Sequence, residues 1–132
     1  MRTIKFRGKR LMSEDWEYGN LIQRPCGGHF IETSDMRLCP IQDFSVGQFI
    51  GLHDKNGKEI YEGDLIRSFD SQGEPIIHAI EYYNNDAQFI VVLAGYTKYD
   101  FGCGGITQKW INEFKKEVIG NIYDNPELLK QE

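Results

Sequence analysis

The sequence predicts a mainly β protein: a small antiparallel, barrel-like domain with an SH3-like core, an N-terminal hairpin and short helical segments near the C-terminus. Three observations carry this. Apolar and polar residues alternate with the period of a half-buried strand, as in Ile4-Lys5-Phe6-Arg7. Turn-forming clusters separate such segments, the strongest being Asn56-Gly57. The 132 residues, 40% apolar and 27% charged, suffice for one core without disulfide or metal support.

Three consecutive regions of a single domain follow, 1–43, 44–94 and 95–132. In the first, residues 3–23 read as a hairpin whose polar connector is Ser13-Glu14-Asp15, and 29–32 as a further short strand after the break at Pro25-Cys26-Gly27-Gly28. In the second, residues 44–49 read as a strand. Asn-Gly accepts positive φ at both central positions, so Asn56-Gly57 predicts a type I′ hairpin turn. Glu62-Gly63-Asp64 is a second bend: Gly63 tolerates a backbone that a Cβ would oppose, and Asp64 can accept from nearby amides. Strands are expected at 65–69, 76–83 and 88–93, the last apolar on both faces and therefore the most buried. In the third region, residues 95–105 read as an irregular loop. Ile106, Trp110 and Phe114 recur at helical spacing behind a Thr107 cap, with Ile106 and Ile111 placed as a hydrophobic staple. A last strand at 117–123 precedes Asn125-Pro126, a cap and first-turn proline for a terminal helical turn.

Composition excludes several function classes. No apolar run reaches the about 20 residues of a membrane span, and the N-terminus carries no apolar leader, so a cytoplasmic protein without a membrane partner is expected. Three cysteines without an export signal predict reduced thiols. The net charge is −5, unevenly spread. Arg2, Lys5, Arg7, Lys9 and Arg10 crowd the first ten positions without an acid, while all 20 acidic residues lie in the remainder. Such a body does not suit broad phosphate binding.

Each candidate site competes with a plainer reading. Cys26, His29, Cys39 and His53 are zinc-type ligands, but their spacing is irregular and lacks a Cys-x-x-Cys pair, so no metal is expected. Cys103, among Gly102, Gly104 and Gly105, is a thiol-nucleophile candidate with no nearby histidine in sequence to activate it. Glu62 and Asp64 form a carboxylate pair that a structural turn explains equally well. Lys5, Arg7, Lys9 and Arg10, with Tyr96 and Tyr99, are the candidates for a nucleic-acid or partner contact. Lys5 and Arg7 are placed on the strand face opposite Ile4 and Phe6, where their charges could instead blunt an exposed edge.

Longer segments resemble a known family. Ile4-Lys5-Phe6-Arg7-Gly8-Lys9, Trp16-Glu17-Tyr18-Gly19, the run from Val46-Gly47-Gln48-Phe49-Ile50-Gly51 to Glu62-Gly63-Asp64, and Glu117-Val118-Ile119-Gly120-Asn121-Ile122-Tyr123-Asp124-Asn125-Pro126 are similar, in that order, to the YopX family. The resemblance implies a phage or prophage protein of a bacterial host cell, a β-rich domain, and no catalytic or binding residue to carry over. With no catalytic constellation or cofactor motif in view, the expected function is a non-enzymatic protein-interaction or self-associating module. Its partner is another protein or a second copy of the chain. A nucleic-acid-binding small β-barrel is the alternative, and an enzyme using a carboxylate or thiol site the third.

Overall fold

A computed structural model describes residues 1–100 and 104–130. The chain folds mainly into strands and separates into two compact units, Met1–Gly51 and Leu52–Glu132. The strands are β1 (Phe6–Lys9), β2 (Trp16–Gln23), β3 (His29–Glu32), β4 (Leu38–Ile41), β5 (Gly47–His53), β6 (Glu59–Tyr61), β7 (Asp64–Phe69), β8 (Pro75–Tyr83), β9 (Gln88–Leu93), β10 (Gly104–Gly105) and β11 (Glu117–Asn121). The helix α1 (Gln108–Glu113) precedes β11, and short 3-10 turns form at Asp43–Ser45 and Pro126–Leu129. Two antiparallel sheets result, in the orders β4-β3-β2-β1-β5-β6 and β10-β9-β8-β7-β11. The protein is thus mainly β with antiparallel sheets, as the alternation predicts, but neither sheet closes on itself as a barrel.

In the first unit, β1 and β2 form the expected hairpin, with Arg7 opposite Tyr18 and Lys9 opposite Trp16. Alternation identifies two faces of a strand without saying which is covered. Here the basic face is covered: Arg7 and Lys9 are each only 5% exposed, and on the opposite face Gly8 is buried and Phe6 half-buried. β1 also pairs with β5, so it lies inside the sheet and its charges blunt no edge. The Arg7 guanidinium stacks over Trp16 at 4.6 Å, and Lys9 lies 5.8 Å from the same ring while pairing with Glu14. The expected strand at 44–49 begins later, because residues 43–45 turn in a 3-10 helix whose Ser45 accepts the Lys9 amide at 2.8 Å.

The core of the second unit contains Ile60, Leu65, Ile66, Ile80 and Ile111, all 0% exposed. Burial of each such side chain contributes about 2 kcal/mol. In β9, Ile90, Val91 and Val92 are buried, but the strand is not the most buried as expected: β7 buries Asp64, Leu65, Ile66 and Ser68, because β8 and β11 flank it, while only the two-residue β10 lies outside β9. The Asn56-Gly57 hairpin forms, but by another turn. Only Gly57 has positive φ there, at 83°, and Gly57 N–H donates to the Asp54 carbonyl at 3.0 Å. This is a three-residue loop in which a type I turn is followed by a left-handed glycine, rather than type I′. Asp54 explains the difference: its Oδ1 accepts the Asn56 and Lys58 amides at 2.8 and 2.9 Å, and its Oδ2 accepts the Val118 amide at 2.9 Å. The second bend is as expected, with Gly63 at φ 93° and the buried Asp64 accepting the Tyr61 amide at 2.7 Å. At the C-terminus, Asn125 precedes the 3-10 turn but does not cap it; its Oδ1 accepts the Asn121 amide instead.

Candidate functional site

Within the second sheet, strand period and register bring polar groups together on an otherwise apolar face. Ser68 lies opposite Ile76, Ile66 opposite His78, and Val91 opposite Ile80, so Ser68, Ile76, His78 and Val91 point the same way. Helix α1 is set beside this face by its ends. Thr107 caps it, accepting the Trp110 amide through Oγ1 at 3.1 Å. At the other end Lys115 adopts φ 53°, Lys115 N–H donates to the Asn112 carbonyl and Lys116 N–H to the Ile111 carbonyl. These are the bonds of a Schellman motif, in a place that usually holds glycine. The left-handed residue redirects the chain, and Lys116 points inward.

Lys116 is 3% exposed. Its Nζ donates to Ser68 Oγ at 2.6 Å and lies 4.4 Å from the Trp110 ring centre and 5.8 Å from that of Phe114. Among the described residues no carboxylate pairs with it. Burial pulls its amine below the ordinary 10.5. His78 meets Trp110 edge-on, with ring centres 5.4 Å apart, and its buried Nδ1 has no hydrogen-bond partner among the described residues. Burial, reinforced by the Lys116 charge, pushes His78 from 6.5 to about 4, so the ring is neutral near pH 7.

These groups line an open cleft of about 610 Å³. Its apolar walls include Trp110, Phe114, Phe69, Ile76 and Val91, and its rim includes Gly104 and Gly105 of the edge strand β10. Phe69 and Phe114 are 57% and 53% exposed. Asp70 also borders the cleft, with Oδ1 occupied by the Gln72 and Glu74 amides at 2.8 and 2.9 Å. An ammonium with no carboxylate paired to it among the described residues, a neutral imidazole and aromatic walls can recognise a polar group on an apolar body.

The residues singled out from sequence fall elsewhere. Cys26 is exposed, Cys39 is buried, and His29 pairs through Nδ1 with Asp43 at 2.8 Å. His53 exchanges backbone hydrogen bonds with the Gln108 side chain. Among the described residues no group of three or more His, Cys, Asp or Glu could hold a metal ion. Asp64 is committed to its turn, and Glu62 is half-buried beside it. Cys103 lies outside the described residues. Of the basic start, Arg7 and Lys9 are buried, while Lys5 and Arg10 are half-buried; Lys5 lies 5.4 Å from the Phe49 ring centre and Arg10 pairs with Glu17 at 3.5 Å. Tyr96 and Tyr99 are exposed, and Tyr99 packs edge-on against Tyr83. Sequence reasoning missed Ser68, His78 and Lys116. One signal was present: His78 shares its alternating face with Ile76 and Ile80, an ionisable ring in an apolar row.

The family model described as YopX protein matches residues 5–130. Among solved structures, the crystal structure of protein EF1440 from Enterococcus faecalis is similar, with a TM-score of 0.61 and 22% identity over 98% of this chain and 100% of that one. At that identity the likeness is one of fold. Among curated proteins no match was found. Among the described residues no helix is long and apolar enough to cross a membrane.

Proposed function

The chain belongs to the YopX family, and we propose that it is a non-enzymatic interaction module, of phage or prophage type, which receives a protein partner in the cleft of its second unit. The observation that carries this reading is Lys116: a 3% exposed ammonium with no carboxylate against it among the described residues, on the wall of an open cleft. Burying an unpaired charge is costly, and a binding partner can offset that cost. The exposed Phe69 and Phe114 supply the aromatic contact that interfaces favour. Nucleic-acid binding through the basic start is less well supported, because Arg7 and Lys9 are buried against Trp16.

Selection from a random-peptide library with free C-termini tests the reading. Peptides retained by the wild-type chain should be lost on a folded Phe69→Asp/Phe114→Asp variant. Both rings are more than half exposed, so the double change leaves the core intact. Failure to enrich any sequence, or equal retention by the variant, contradicts the proposal.

A further inference from the structure

Resting on the reading of the cleft as a partner-binding site, we infer that it recognises a single carboxylate carried on an aromatic or apolar body, as a peptide's C-terminal residue or a free aryl acid presents it. Three features converge on this chemistry. The first is the charge. Lys116 presents an ammonium that Ser68 and the Trp110 face hold in place without neutralising it. Trp110 and Ser68 satisfy only part of the three-donor capacity of an ammonium, so an acceptor oxygen from a ligand has donors to meet. A charge-assisted hydrogen bond in a partly buried site is stronger than its equivalent at an exposed surface.

The second feature is His78. Its ring lines the cleft, is neutral, and has no hydrogen-bond partner at its buried Nδ1 among the described residues, so it adds one polar side chain beside the ammonium. A bound carboxylate would also draw both Lys116 and His78 back toward their ordinary protonation, because its negative charge opposes the effect of burial on each.

The third feature is the balance between wall and rim. Phe69, Trp110 and Phe114 accept a flat or apolar group beside the charge. Asp70 also borders the cleft without pairing with Lys116, and its carboxylate repels an anionic ligand. A monoanion therefore meets less repulsion than a dianionic phosphate does. The 610 Å³ of space also exceeds what one aryl acid fills, leaving room for preceding residues of a peptide.

The chain contains two tryptophans, Trp16 and Trp110, so a Trp16→Phe variant reports on the cleft through Trp110 fluorescence. N-acetylphenylalanine, its uncharged amide and inorganic phosphate are titrated into it. The acid should change Trp110 emission saturably, the amide should bind at least tenfold more weakly, and phosphate should not displace the acid. Adding Lys116→Met should reduce the acid to the level of the amide while leaving the amide unchanged. A pentapeptide ending in phenylalanine separates the sources: tighter binding than the acetylated residue identifies a peptide terminus, and equal binding a free acid. Because acid and amide are compared with Lys116 intact, the result does not depend on the Met variant folding. Equal binding of acid and amide, or tighter binding of phosphate, overturns the carboxylate assignment and leaves the cleft as an interaction site. No saturable response to any probe overturns the inference, while the peptide-library selection still decides the interaction reading independently.

Discussion

Lys9 and Lys116 are buried lysines, one in each unit, and each lies near a tryptophan, yet their surroundings differ in one respect. Lys9 is within 5.8 Å of the Trp16 ring centre and pairs with Glu14, a solvent-exposed carboxylate. Lys116 lies closer to its ring, at 4.4 Å from Trp110, and has Ser68 Oγ where Lys9 has a carboxylate. The first pairs its ammonium with a carboxylate. The second places an ammonium beside an open cleft with no carboxylate paired to it among the described residues. Burial and aromatic stacking are common to both lysines; what sets Lys116 apart is that no carboxylate pairs with it among the described residues.

Substitutions at and around the two lysines separate their surroundings. The largest effect is expected at Trp110, which supports both Lys116 and His78. Trp110→Ala should cost about 3 kcal/mol in urea unfolding and return the His78 titration toward 6.5, read by NMR. Retention of a titration near 4 would mean that Trp110 does not bury the imidazole.

Asp54 comes next, since it ties the hairpin to the segment that carries Lys116. Its Oδ2 holds the Val118 amide, and Lys55 N–H donates to the Lys116 carbonyl at 2.9 Å. Asp54→Ala strands three amides and should cost about 2 kcal/mol. Asp70 builds the same turn with Gln72 and Glu74 but is exposed, so Asp70→Ala should cost about half as much. Equal losses by denaturant titration would show that the Val118 bond adds nothing.

A smaller effect is expected from pH. The folded-state value of His78 is depressed, so between pH 6.5 and about 4 the unfolded chain binds a proton that the folded chain refuses. Stability should fall as pH drops through that window and level off below it, by about 1 kcal/mol after allowance for the partly exposed ring. His78→Leu should remove this share of the slope in Tm against pH.

The smallest effect separates the lysines directly. Lys116→Met removes a buried charge and keeps the stem against Trp110, so the unliganded protein should be unchanged or slightly more stable. Lys9→Met removes one half of a pair and should cost about 0.5 kcal/mol. Matching signs in the two unfolding curves would dissolve the distinction.

What sequence reveals here is what is local. Gly63-Asp64 and the Thr107 cap form within a few residues, and each adopts the expected geometry. Asn56-Gly57 makes a hairpin, although Asp54, by capturing two loop amides, selects a different turn from the one the dipeptide favours. The covered face of β1 was not legible, because alternation defines faces and only the neighbouring strands decide which is buried. The cleft was not legible for a related reason. Ser68, His78, Trp110 and Lys116 come from β7, β8, α1 and the bend after α1, and meet only through sheet register and the left-handed Lys115. A glycine at position 115 would have signalled that bend, but the residue there is lysine.

One titration reads both lysines together. With side-chain amine signals assigned by NMR, N-acetylphenylalanine should shift the Lys116 signal saturably and leave Lys9 unmoved, and the uncharged amide should shift neither at the same concentrations. Parallel movement of Lys9 and Lys116, or no movement of Lys116 at saturating acid, would contradict the assignment of Lys116 as the recognition point.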